Sequence, residues 1–140
     1  MKKLSILTLS FVALSMTLVS CSKDDNNGST TSASLVGKWE YSKEGAVQNG
    51  QELLVAYMGN ETGCSKDYID VTATSVVDVD YDSTDMPCEI FTDTYSYTRT
   101  GNTLTLTVSG MEFTSTIVTL TSTELKIKDS QGYITVYTRK

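Results

Sequence analysis

The sequence predicts an all-β domain: an eight-stranded antiparallel up-and-down barrel with one short helix or flap after its first strand. Three observations point there. From Leu35 onward the dominant hydropathy period is two, Thr, Val, Ile and Tyr crowd the segments, and turn signals recur every eight to twelve residues. Sequential antiparallel strands with one apolar face must hide that face. They can close on themselves, which also removes the edge strands, or stack as two sheets. Residues 35–140 suffice for one such core.

The elements follow in order. In the first strand, 35–43, Gly37, Trp39 and Tyr41 alternate with Lys38, Glu40 and Ser42. Residues 49–59 break the pattern. Asn49 with Glu52 three residues on resembles a helix start, Leu53, Leu54, Tyr57 and Met58 share a helical stripe, and Gly59 can end it. A short helix, or an irregular apolar flap, is expected there. Strands follow at 67–73 and 75–82, where Val77, Val79 and Tyr81 alternate with Asp78, Asp80 and Asp82. The next is 89–99, with Phe91, Tyr95 and Tyr97 on one parity. Then come 103–109, with Leu104, Leu106 and Val108, and 111–120. The last two are 124–129 and 132–139. Gly101-Asn102, Ser109-Gly110 and Gln131-Gly132 supply the tight turns. Connections this short make neighbouring strands antiparallel.

Ahead of this domain lie two other regions. Lys2 and Lys3 precede a short apolar run diluted by Ser and Thr, ending in Leu18-Val19-Ser20-Cys21. This is the layout of a secretory signal over residues 1–20, too short and too polar for a membrane-spanning helix. Residues 21–34 then form a polar tether with no apolar anchor.

Composition excludes several functions. The 140-residue chain has no His, which removes Ser-His-Asp and Cys-His catalysis and imidazole metal sites. Its formal charge is −6, the wrong sign for non-specific nucleic-acid binding. Without residues 1–20 it carries 9 bases against 17 acids, a charge of −8 that anionic headgroups repel. No nucleophile has a nearby base, and no carboxylate spacing suggests a cleft, so neither an enzyme nor a cofactor is expected. Cys64 and Cys88 form an even pair in an exported chain and read as a disulfide, worth about 3 kcal/mol on the chain-entropy model. Asp78, Asp80, Asp82, Asp85 and Glu89 occupy positions 1, 3, 5, 8 and 12 of a twelve-residue window. A calcium loop wants that spacing, but Ser83 replaces its Gly and the flanks read as strands. The solvated face of a strand is therefore expected, with Asp78, Asp80, Asp82 and Glu89 as the calcium alternative.

Four resemblances add to this reading. Leu18-Val19-Ser20-Cys21 resembles the lipobox of bacterial lipoproteins, which implies a diacylglycerol and acyl chains on Cys21 and membrane attachment through them. Lys23-Asp24-Asp25 is similar to the export signal of Bacteroidetes surface lipoproteins, which implies the outer membrane, with its surface face favoured over its periplasmic one. Asp82-Ser83-Thr84 resembles the O-glycan acceptor of exported Bacteroidetes proteins. Gly37-Lys38-Trp39 matches the Gly-x-Trp signature of lipocalins. Residues 35–140 resemble the lipocalin-like domains of Bacteroidetes lipoproteins, with Cys64-Ser65-Lys66-Asp67 and Tyr137-Thr138-Arg139 as further matches. The resemblance implies that Arg139 packs over Trp39 on the barrel floor beside Gly37; Arg99 is the alternative partner. It also implies a small apolar ligand lined by Tyr41, Phe91, Tyr95, Tyr97, Leu104 and Leu106. The other reading is an accessory lipoprotein with a filled barrel and an envelope protein as partner.

Overall fold

A computed structural model of the chain describes residues 33–140; the expected signal segment, Cys21 and the expected tether through residue 32 lie outside them. Nine strands form: β1 Gly37–Gln48, β2 Gln51–Ala56, β3 Tyr68–Val71, β4 Ser75–Asp82, β5 Glu89–Thr100, β6 Thr103–Val108, β7 Met111–Leu120, β8 Glu124–Asp129 and β9 Tyr133–Arg139. All neighbours are antiparallel. The sheet runs β2-β1-β3-β4-β5-β6-β7-β8-β9, and β1 also pairs with β9. First and last strands of the meander are thus neighbours, and β1, β3 and β4 to β9 form a closed eight-stranded barrel.

The expected helix at 49–59 is absent; β2 stands in its place. Asn49 and Gly50 both have positive φ, 52° and 79°, and join β1 to β2 by a two-residue turn. Asn-Gly is the strongest short hairpin signal, and it overrides the helix-start pattern of Asn49 and Glu52. Consequently β1 runs to Gln48 rather than residue 43. Its first residues pair with β3 and the rest, Lys43–Gln48, with β2. The β1–β2 arm bends over the outside of β9. Lys126 of β8 bonds Glu52 of β2 at 2.7 Å, and Ile134 and Val136, on the outward parity of β9, are buried. Gly45 permits the bend, because a Cβ there would collide with the Leu53 carbonyl.

Strand direction defines two ends. The floor carries the start of β1, the end of β9 and the turns at 72–74, 101–102 and 121–123. The mouth carries the turns at 83–88, 109–110 and 130–132 and the connection 57–67. The core sits toward the floor: Leu35, Trp39, Ile69, Val71, Leu104, Ile117, Leu125 and Tyr137 form one buried cluster. A bulge between Tyr41 and Lys43 shifts the β1 register, so that Tyr41 and Glu44 both face inward.

Candidate functional site

The barrel interior changes character from floor to mouth. At the floor Trp39 is fully buried and donates its indole N–H to the Leu35 carbonyl at 2.8 Å. Arg139 is its register partner on β9 and lays its guanidinium 4.4 Å from the indole ring centre. The same guanidinium donates to the carbonyls of Val36 at 3.1 Å and Ser34 at 3.3 Å. Gly37, at φ +134°, makes room: a Cβ there would meet the guanidinium at 2.9 Å. Arg99 is not the partner. It is exposed and donates to the Gly101 carbonyl of its own turn at 2.7 Å.

Above the floor lies a belt of tyrosines. Tyr41 stacks on Tyr57 with ring centres 4.5 Å apart and meets Tyr137 at 4.7 Å. Its hydroxyl donates to both oxygens of Asp78, at 3.0 and 3.1 Å. Asp78 therefore points into the barrel. This corrects the expected solvated face: on β4 the inward parity is Val76, Asp78 and Asp80, and Val77, Val79 and Tyr81 face out. Val79 is buried all the same, as the outward register partner of Tyr68. Burial pushes the Asp78 carboxyl up to about 6, against the opposing Tyr41 hydrogen bond and with the nearby Asp80 and Asp67 charges adding to the rise. Burial also raises Tyr41 and Tyr137, and moves Tyr57 to about 12.

Strand β3 is only four residues long, so the barrel wall above it is built by the connection 57–67. Tyr57 donates its N–H to the Ser42 carbonyl at 3.0 Å, and the Tyr41 N–H bonds the Asp67 carbonyl at 3.1 Å. The Asp67 carboxylate, on a buried residue, accepts the Tyr81 N–H at 2.9 Å, and Asn60 Oδ1 accepts the Asp67 N–H at 2.9 Å. The Cys64–Cys88 disulfide and the Ser83 N–H donated to Glu61 at 2.6 Å tie this wall to the β4–β5 loop. The acids of the candidate calcium loop are not gathered. Asp78 serves Tyr41 and Asp82 caps the Thr84 N–H at 2.6 Å. Among the described residues no three acids or cysteines are arranged to hold a metal ion.

At the mouth, inward-facing side chains stay open to solvent. Phe91 is the register partner of Asp80, Phe113 of Leu106 and Met111 of Val108. They are 49%, 52% and 59% exposed. They make an apolar wall on β5 and β7. The facing wall is polar: the Tyr133 hydroxyl donates to Glu44 at 2.6 Å. Of the residues expected to line a ligand, Phe91 and the half-buried Tyr95 stand at this cup and Tyr41 at its base. Leu104 belongs to the packed core, with Leu106 and Tyr97 packed against it; the Tyr97 hydroxyl donates to the Thr72 carbonyl at 2.9 Å. Met111, Phe113, Glu44 and Tyr133 were outside the expected set. For Met111, Phe113 and Tyr133 the signal is parity, since each lies within three residues of a turn at the mouth and on the inner face of its strand; Glu44 is turned inward only by the bulge after Tyr41.

Two solved crystal structures share the architecture. A lipocalin-like protein from Bacteroides uniformis superposes with a TM-score of 0.55 at 11% identity, over 76% of this chain and 98% of that one. An uncharacterized protein from Bacteroides eggerthii does so with a TM-score of 0.54 at 12% identity, over 76% and 100%. At such identities the likeness concerns the fold. No curated protein matches the chain. The family model of the lipocalin-like domain matches residues 35–127, most of the barrel, and the chain belongs to that family.

Proposed function

We propose that this protein is a lipid-anchored envelope lipoprotein whose barrel takes a small ligand through its open end. One observation carries the ligand reading: inward-facing Phe91, Met111 and Phe113 remain about half exposed at the mouth, while the floor is sealed by Trp39 and Arg139. Large apolar side chains left wet on a concave wall favour an apolar occupant. The Tyr133–Glu44 pair opposite asks for a polar group on the same molecule, so the ligand is amphipathic rather than purely apolar. The tyrosine belt fills the middle of the barrel and keeps the cup shallow. That filling supports the second reading, an accessory lipoprotein that meets a partner protein.

The anchor reading rests on Leu18 to Cys21 and on a domain charge that offers anionic lipid no attraction. Acyl chains on Cys21 hold the chain at the outer membrane, on the surface face by the Lys23-Asp24-Asp25 signal. Cys21→Ser should release the protein from membranes; retention at high salt would reject the anchor. Native mass spectrometry of protein from its own envelope should show mass beyond the acylated polypeptide. A mass equal to the acylated polypeptide alone would reject the ligand reading.

A further inference from the structure

Strand β5 is longer than its neighbour on one side. It pairs with β4 along Glu89–Ser96, but its pairing with β6 begins only at Ser96. The Tyr97 N–H bonds the Thr74 carbonyl on the β4 side. Peptide groups alternate along a strand, so Ile90, Thr92 and Thr94 direct their N–H groups to the other side, where β6 is absent. These groups have no ladder partner among the described residues. Such an edge is a template for another strand unless something deters it.

The deterrent against a second copy is charge. Between Lys66 and Lys126 the chain carries ten acids and a single base, Arg99, which sits at the floor. Asp82, Asp85, Glu89, Asp93 and Glu112 surround the open edge. Two such edges brought together would oppose acid to acid. The same charge turns away anionic lipid. What it leaves favourable is a basic strand. The surroundings are also apolar: Met86, Ile90 and Phe91 on one side of the gap, Met111 and Phe113 on the other, are each about half exposed or more.

We infer that the free edge of β5, from Glu89 to Tyr95, is a docking site for an extended segment of an exported partner protein, one that alternates Lys or Arg with apolar residues. The segment adds as a strand, its backbone bonding Ile90, Thr92 and Thr94. Side chains alternate faces along the added strand, so its cations take the inward face beside Glu89 and Asp93, and its apolar side chains take the outward face beside Ile90. Backbone bonds supply the register and the acids choose the partner.

The test uses two synthetic octapeptides, alternating Lys-Val and alternating Glu-Val, added to the folded barrel. Amide hydrogen exchange is read by NMR. The Lys-Val peptide should slow exchange at Ile90, Thr92 and Thr94 by about tenfold or more, and added salt should weaken the effect. The Glu-Val peptide should leave these amides unchanged. Thr92→Pro removes one edge N–H and should abolish protection; the E89K/D93K double variant keeps the edge and should reverse the preference between the peptides. Equal protection by both peptides, protection confined to β2, or no protection at these three amides would overturn the proposal. So would a dimer of the free protein formed through β5. Bound small-molecule mass is a separate readout, and its loss would leave this edge untouched.

Discussion

Trp39 and Arg139 face each other across the β1–β9 ladder, the guanidinium 4.4 Å from the indole ring centre and bonded to the carbonyls of Ser34 and Val36. One arginine thus ties the last strand, the first strand and the chain entering the barrel. Arg139→Ala should destabilise the domain by about 1–2 kcal/mol from the lost cation–π contact alone. Lys140→Ala, which loses exposed contacts to Tyr68 and Glu40, should cost less than about 1 kcal/mol. Urea unfolding of the two variants makes the comparison. Equal losses would mean that the floor contact does not secure closure.

Gly37→Ala tests the same contact from the other side. Its φ of +134° disfavours any Cβ, and the added methyl would meet the guanidinium. Destabilisation comparable to Arg139→Ala is expected, with little further loss in the double variant, since both changes break one contact. Fully additive losses would show the two residues acting independently.

The inward Asp78 makes stability depend on pH. Its carboxyl is raised from 3.8 to about 6, so the native state holds its proton more tightly than the unfolded chain does. Stability should therefore be highest below the unfolded value and fall as pH rises through 4 to 6. Thermal melts between pH 4 and 7.5 should show Tm falling with pH. Asp78→Asn should flatten that dependence and raise Tm at pH 7.5, because the amide keeps a polar partner for Tyr41 without a buried charge. A Tm that climbs over this range in the parent and is unmoved in the variant would contradict the assignment.

The disulfide closes a loop with a sequence separation of 24 and fastens the 57–67 wall to the β4–β5 loop. Its removal in Cys64→Ser/Cys88→Ser should cost about 3 kcal/mol through the unfolded chain. It should also speed amide exchange at Tyr57 and Asp67 more than at β7 or β8. Uniform acceleration would leave the bridge no local role in the wall.

Much of the barrel was legible in period-two runs because one buried face imposes alternation. Leu104, Leu106 and Leu125, Ile127 gave unambiguous parity. Trp39 and Arg139 were legible as ends of the first and last strands. Two things were not. The Asn49-Gly50 turn was masked by a helix-start pattern at the same residues; the hairpin signal prevails there, and burial of Ile134 and Val136 under the arm adds to it. The parity of β4 was misread because its outward face carries Val77, Val79 and Tyr81 while its inward face carries Asp78 and Asp80. A tyrosine hydroxyl makes the inward acid tolerable, and nothing local in the sequence announces that partner. The cup was half legible for the same reason: Phe91 and Tyr95 follow from alternation, but Glu44 reaches the interior only through the bulge after Tyr41.

The central claim, that the mouth of the barrel is a binding site, is tested most directly by titration with the apolar fluorophore N-phenylnaphthylamine. The parent protein should enhance its emission saturably. Phe113→Glu, which places a charge on the inward wall, should abolish the enhancement, whereas Val118→Glu, at an equally exposed position far from the mouth, should preserve it. Enhancement that survives Phe113→Glu, or that falls alike in both variants, would contradict the account.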